Sequence, residues 1–263
     1  MKTILVGDLH LTAQIILPMV EENVKAMNCR RVILLGDYMD AYNQTKNINL
    51  YMNELDYLLM WKSRMKTIGI EVITLLGNHD APYLTFNPKY YSLMDSSGII
   101  AVHNKLMKLG VQIAFQLEDY LVSHAGYTED YVLEEWHLKK ISASIIENIA
   151  WLNTHIGGKR GGQYISGSPL WADFEELTRY PNLNYPKQIV GHTPQNKVKI
   201  ECNLETKIIG IDTFTVIPLE QSPYYQQLGT GEVLLYEDGK IWTLSLNWKN
   251  EDIIKKIDSK FDR

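Results

Sequence analysis

Asn78 and His79 stand side by side where the apolar run Leu75-Leu76 stops at Gly77, and Asp80 follows them. At the end of a strand this pair offers a neutral oxygen donor and an imidazole to whatever lies above the sheet edge. Two other runs end in the same way: Thr3-Ile4-Leu5-Val6 runs into Gly7-Asp8-Leu9-His10, and Val32-Ile33-Leu34-Leu35 into Gly36-Asp37-Tyr38-Met39-Asp40. Each is a buried-strand pattern, then Gly, then acid or His. The runs Tyr120-Leu121-Val122-Ser123 and Gln188-Ile189-Val190-Gly191 deliver one imidazole each, His124 and His192. Carboxylates, a carboxamide and imidazoles at five strand ends are the groups from which proton-transfer and cation-holding sites are built.

The elements that must position them follow from periodicity. A strand over 3–6, a helix over 12–27 with Thr12 as N-cap, a strand over 31–35, an amphipathic helix over 49–68 closed by Gly69 and a strand over 71–76 give β-α-β-α-β with right-handed crossovers. Residues 81–97 read as a Tyr-, Pro- and Asn-rich irregular segment in which the tyrosines pack. Short strands are expected at 99–103, 106–108, 111–116 and 120–122, forming a second, more antiparallel sheet. Helices are expected near 128–136 and 139–153, and a Gly-rich stretch at 157–167 carries Lys159 and Arg160. Strands return at 188–190, 197–200, 207–211, 232–236 and 240–246, the last two joined by Asp238-Gly239, and a short helix follows at 251–257. The summed pattern is an α/β fold, a four-layer α/β/β/α sandwich of two mixed sheets flanked by helices, in a single domain over 1–263.

Composition narrows the function classes. The chain of 263 residues is 45% hydrophobic and 22% charged, an ordinary globular balance with enough length for one sizeable core. A net charge of -5 supplies no general field for nucleic acid or an anionic membrane, which counts against both as partners. Cys29 and Cys202 match neither a disulfide framework nor a thiolate metal site, so a cytoplasmic location is expected.

The five motifs, in this order and across most of the chain, resemble those of the calcineurin-like metallophosphoesterases. The resemblance implies a dinuclear metal-dependent phosphoesterase. Asp8, His10 and Asp37 would hold one divalent ion, and Asp37, Asn78, His124 and His192 the other, with Asp37 bridging. Two such ions about 3.5–4 Å apart neutralise a phosphate ester's repulsive charge and acidify water. A donor set of oxygen and nitrogen without thiolate suits Mn, Fe or Zn, with manganese favoured. The resemblance also makes His79 the proton donor to the leaving oxygen and Asp40 the carboxylate that orients it. His103, His137 and His155 match no motif and read as structural.

Details within that family separate its branches. Pro194 stands where nuclease-like members carry a second His, and Ser123-His124-Ala125-Gly126, Leu170-Trp171 and Asp212-Thr213 resemble the bacterial and phage Ser/Thr phosphoprotein phosphatases and their diadenosine tetraphosphatase relatives. Hydrolysis of phosphomonoesters, on a phosphorylated protein or a small molecule, is therefore expected. Dinucleoside polyphosphate hydrolysis is the alternative. A non-catalytic scaffold would be marked by loss of a ligand or of the acid His, and all are present. One departure concerns phosphate binding: the family commonly has an Arg after the second motif, and this chain has Ala41 and Tyr42. Arg160 and, to a lesser degree, Lys159 are the substitute cations expected, because flanking glycines allow close backbone approach to a ligand.

Overall fold

A computed structural model describes residues 1–222 and 224–261. Strands β1 (Thr3–Val6), β2 (Arg31–Leu34) and β3 (Glu71–Thr74) run parallel, in register from Thr3 opposite Arg31 and Arg31 opposite Glu71. Helices α1 (Ala13–Ala26) and α2 (Ile48–Thr67) make the crossovers. On the other side of β1 the hairpin of β11 (Glu232–Glu237) and β12 (Lys240–Ser245) adds two antiparallel strands, so the first sheet has the order β12-β11-β1-β2-β3. The second sheet has the order β4-β5-β6-β8-β7, built from β4 (Ala114–Leu117), β5 (Tyr120–Ser123), β6 (Lys187–Val190), β7 (Lys199–Cys202) and β8 (Lys207–Gly210). Within it β5, β6 and β8 are parallel, and the two edges are antiparallel.

Alternation along the strands creates the layers. Leu5, Ile33 and Leu75 meet Val122, Ile189 and Ile209 of the other sheet in a dry layer between the two. Ile4, Val6, Val32 and Leu34 point the opposite way into a larger core that includes Ile16, Val20, Leu55 and Trp61 of α1 and α2. Helix α6 (Phe174–Arg179) covers the outer face of the second sheet with Phe174 and Leu177 against Val190 and Ile208. This is the expected sandwich of two mixed sheets between helices. No helix among the described residues is long and apolar enough to cross a membrane.

Several local expectations are corrected. The segment expected as strands 99–103 and 106–108 is one helix, α4 (Ser96–Leu109). Its Asp95 side chain accepts from Gly98 N at 2.6 Å, Gly110 at φ 70° terminates it, and Val102, Leu106 and Leu109 form its buried face. That face outweighs the strand preference of Ile99, Ile100 and Val102. A short helix, α3 (Ala81–Leu84), precedes it. The helix expected over 128–136 is irregular up to a 3₁₀ turn at Glu135–Leu138. The buried Asn182 amide donates to the Tyr131 carbonyl at 2.8 Å, and the Thr128 carbonyl accepts from Tyr131 N at 3.0 Å in a single turn that does not propagate. Of the helix expected over 139–153, a 3₁₀ turn at Ala143–Ile145 and α5 (Ile146–Thr154) form. Thr12 does not cap α1 through its side chain: the hydroxyl donates back to Leu9 O. The small hairpin of β9 (Val216–Pro218) and β10 (Tyr225–Gln227) carried no alternation strong enough to announce it, and α7 (Glu251–Lys260) ends the described chain.

Candidate metal centre and proton donor

The parallel strands of both sheets bring their carboxyl ends to one place, where crevices in α/β sheets form. From β1 come Asp8 and His10, from β2 Asp37 and Asp40, and from β3 Asn78, His79 and Asp80. From the second sheet β5 supplies His124 and β6 supplies His192. Donor atoms of His10, Asp37 and His79 lie within 4.8 Å of one another, and so do those of Asp37, His124 and His192. Asp37 is common to both groups. Its Oδ2 lies 3.7 Å from His10 Nε2 and 3.4 Å from His124 Nε2. Asp8 Oδ2 lies 4.0 Å from His10 Nε2. Asn78 Oδ1 and His192 Nδ1 approach His124 Nε2 at 2.9 and 3.2 Å.

Hydrogen bonds on the far side fix how the rings face inward. His10 Nδ1 is held by the carbonyl of Asp40 at 2.9 Å, and His124 Nδ1 by that of Leu35 at 2.9 Å, which directs each Nε2 to the centre. His192 Nε2 is buried without a partner. The result is a buried convergence of carboxylate, carboxamide and ring-nitrogen donors of the kind that holds divalent cations. The residues therefore fit the divalent ions their types suggest.

Electrostatics agree with that crowding. Burial pushes the Asp8 carboxyl well up and the neighbouring Asp212 and Asp37 add to it, against His124. Burial would raise Asp37 too, but the imidazoles of His124, His79 and His10 outweigh it and hold its carboxyl low. His124 is driven to about 10: burial opposes its charge, and the carboxylates of Asp37 and Asp8 override burial. His192, buried beside Arg160 and His124, is held neutral with its pKa far below the usual value.

His79 differs from the other rings. Its backbone N–H donates to Asp37 Oδ1 at 2.8 Å, and its Nδ1 sits 3.1 Å from Asp40 Oδ2. Asp40 is buried and accepts from the hydroxyls of Tyr51, at 2.9 Å, and Tyr83. Burial would lower the His79 pKa, but Asp37, Asp40 and Asp80 together raise it. Asp80 is fully buried and accepts from the backbone N–H of Tyr38, Met39 and Gly77 at 2.9–3.1 Å. It ties the β2 loop to the β3 loop.

Arg160 and Lys159 part company. The Arg160 guanidinium is partly buried at the rim, where Nη2 donates to His192 O at 3.2 Å and Thr193 Oγ1 at 2.8 Å, and Nε pairs with Asp173 at 3.1 Å. Lys159 Nζ faces outward to Glu175. Trp171 sets its edge on His192, ring centroids 5.9 Å apart, and donates from Nε1 to Asn153 at 2.9 Å. His137 is structural, bonded to Tyr127 Oη at 2.9 Å, and burial lowers it to about 4. Asp212, buried at the end of β8 and charge-coupled to Asp8, was not read as a site residue. The signal was present, since Ile208-Ile209-Gly210-Ile211 is another apolar run ending in an acid.

The family description calcineurin-like phosphoesterase matches residues 1–196. No curated protein sequence matches the chain. Among solved structures, a cold-active protein-tyrosine phosphatase of a psychrophilic Shewanella species superposes with a TM-score of 0.59 at 16% identity, over 94% of this chain and 78% of that one. A protein serine/threonine phosphatase from Saccharomyces cerevisiae superposes with a TM-score of 0.51 at 13% identity, over 93% of this chain and 79% of that one. These likenesses show the fold.

Proposed function

Since this chain belongs to the calcineurin-like phosphoesterase family, we propose that it hydrolyses phosphomonoesters with His79 as general acid. The observation that carries this reading is the Asp40–His79 pair, 3.1 Å apart, placed against a cation-demanding cluster centred on Asp37. Asp8, His10 and Asp37 would hold one divalent ion and Asp37, Asn78, His124 and His192 a second, with Mn, Fe or Zn suited to the donor set. When bound, such ions neutralise phosphate charge and lower the pKa of water.

The chain's own residues supply the rest. The attacking water oxygen forms a bond to phosphorus as the bond from phosphorus to the leaving oxygen breaks; the leaving oxygen takes its proton from the His79 ring, the water gives up one proton to solvent, and the ring regains one from solvent to close the cycle. Asp40 holds Nδ1, so Nε2 carries the proton toward the substrate. The carboxylates of Asp37, Asp40 and Asp80 outweigh burial and raise the His79 pKa, which favours the protonated ring. Arg160, beside His192, is the cation best placed to meet phosphate oxygens. The phosphatases that share the fold are named for phosphoprotein substrates, which supports a phosphorylated protein or a similar monoester as substrate.

His79 is also near enough to His10 and Asp37 to serve as a ligand, and one experiment separates the roles. Manganese-loaded wild-type and His79→Asn proteins are compared on an aryl monoester, phosphopeptides and diadenosine tetraphosphate, with bound metal measured. A general acid gives a loss of roughly 10²–10⁴ on esters with poor leaving groups, a smaller loss on activated aryl esters and unchanged metal content. Metal loss, or equal loss on every ester, overturns the assignment. Preference for the dinucleotide over all monoesters would move the substrate class to dinucleoside polyphosphates.

A further inference from the structure

Tyr91 belongs to none of the motifs and lies in the irregular stretch between α3 and α4. Its ring packs on the His79 imidazole, centroids 4.5 Å apart at 43°, and Tyr90 backs it at 5.0 Å and 75°. Packing was the role expected of these tyrosines, and Tyr83 meets it in full, since it is buried with its hydroxyl spent on Asp40 and on Leu93 N at 2.8 Å. The Tyr91 hydroxyl does otherwise. It is buried yet has no hydrogen-bond partner, a state that is costly for a hydroxyl unless something else supplies one. Asn78 is its polar neighbour, without a well-formed bond. The hydroxyl is thus a donor left without a partner beside Asn78 and His79. No cation stands at Ala41 to serve an oxygen there.

We propose that Tyr91 is a substrate-binding residue whose hydroxyl donates a hydrogen bond to a non-bridging oxygen of phosphate held beside Asn78 and His79, with its ring seating His79 against the leaving oxygen. The proposal rests on the phosphoesterase reading and deepens it. A phosphate bound there gives the phenol the acceptor the protein withholds, and a charged acceptor strengthens the bond.

Tyr91→Phe keeps the ring on His79 and deletes only the hydroxyl. With the manganese-loaded full chain, binding of inorganic phosphate is measured by calorimetry, alongside KM and kcat for an aryl monoester and bound metal. The expected result is a phosphate Kd and an ester KM both raised about tenfold, the size of a lost hydrogen bond to a charged group, with metal content unchanged. Tyr91→Leu, which also removes the ring, should in addition lower kcat. An unchanged phosphate Kd and KM in Tyr91→Phe overturns the proposal, as does a wild-type protein that binds metal but no phosphate. If wild-type protein binds phosphate but hydrolyses no ester, the phosphoesterase reading fails while the phosphate Kd still decides the role of Tyr91.

Discussion

Replacing Asp40 with Asn tests the coupling between fold and chemistry most directly. The exchange keeps the side chain's shape and leaves Oδ1 to accept from Tyr51, at 2.9 Å, and from Tyr83, while removing the negative charge 3.1 Å from His79 Nδ1. An opposite charge at that range shifts a pKa by about 1–3 units. Asp37 and Asp80 also hold the His79 pKa up and survive the substitution, so a fall of about one unit is expected, equivalent to about 1.4 kcal/mol. A general acid works while protonated, and activity is lost as pH rises through its raised pKa. The alkaline limb of kcat/KM in Asp40→Asn should therefore move about one pH unit lower, costing roughly tenfold in rate above that limb and little below it. The assay is a pH profile on an alkyl phosphate, with an activated aryl phosphate as control, since a good leaving group needs no proton. An alkaline limb that stays in place, or moves equally for both esters, would refute the argument that Asp40 acts through His79.

The remaining expectations concern cations and close packing. His124, at about 10 in the metal-free protein, must lose its proton to offer Nε2 to a metal, so metal uptake at pH 7 should release about one proton and tighten as pH rises toward 10. Calorimetry in buffers of different ionisation enthalpy reads this, and no proton release would refute it. Because that pKa is raised by folding, its stabilisation is complete below about 6.5 and lost on the way to about 10, and Asp80, raised by burial from 3.8 to about 8, adds a loss in the same direction over its own lower window, which overlaps that of His124 between about 6.5 and 8. Thermal melts of metal-free protein should accordingly fall across that window. Arg160→Ala should raise KM for phosphomonoesters with metal content unchanged, and Lys159→Ala, whose ammonium faces Glu175, should change it less; equal effects would show that the rim geometry is not what binds phosphate. In Gly77→Ala a Cβ would stand 2.0 Å from Asp37 Oδ1 and 2.4 Å from Asp37 N, so metal content should fall sharply, and full occupancy by elemental analysis would refute the packing argument.

Much of this arrangement is legible in sequence because its signals are local. A buried parallel strand needs a continuous apolar run, and Gly followed by a polar residue marks the turns after β1, β2, β3 and β6, while β5 runs through Ser123 straight into His124, so each announces both itself and the group it carries. Where the deciding force is tertiary, the signal is absent or misleading. Ile99, Ile100 and Val102 favour a strand in isolation, and their segment becomes α4 because capping and a buried face outweigh that preference. Asp80 has the sequence context of a surface acid, and only the approach of two loops makes it an interior acceptor. Tyr91 sits among several tyrosines of similar context, and nothing local distinguishes the one whose hydroxyl is left unpaired at the site. Backbone conformation is equally hidden. His10, Asp37, Asp40 and His192 adopt φ of 39°, 48°, 60° and 63°, a region that costs a non-glycine residue of order 1–3 kcal/mol where the surroundings enforce it.

What enforces those conformations is a set of bonds in which each carboxylate at the centre also fastens one loop to another. Asp8, from the first sheet, accepts the backbone N–H of His192 from the second sheet with both oxygens at 3.1 Å. Asp37, from β2, accepts the N–H of His79 after β3, and Asp80 returns the link to Tyr38 and Met39. Such approaches need bare backbone at the point of contact. Gly191 supplies it, since a Cβ there would stand 2.3 Å from Asp8 Oδ1, and Gly77 does the same for Asp37. His124 closes the circuit from the second sheet by holding the carbonyl of Leu35 at 2.9 Å. Net hydrogen bonds to charged groups are worth about 1.5–3 kcal/mol each, enough together to offset the left-handed residues they impose. The crowded negative charge that would drive the two sheet edges apart is thus the same charge that pins them, with imidazolium in the metal-free protein and divalent cations, by the reading proposed here, in the active one. Fold and site are inseparable at this edge, so a substitution that weakens cation binding at Asp8 or Asp37 must also loosen the junction between the sheets.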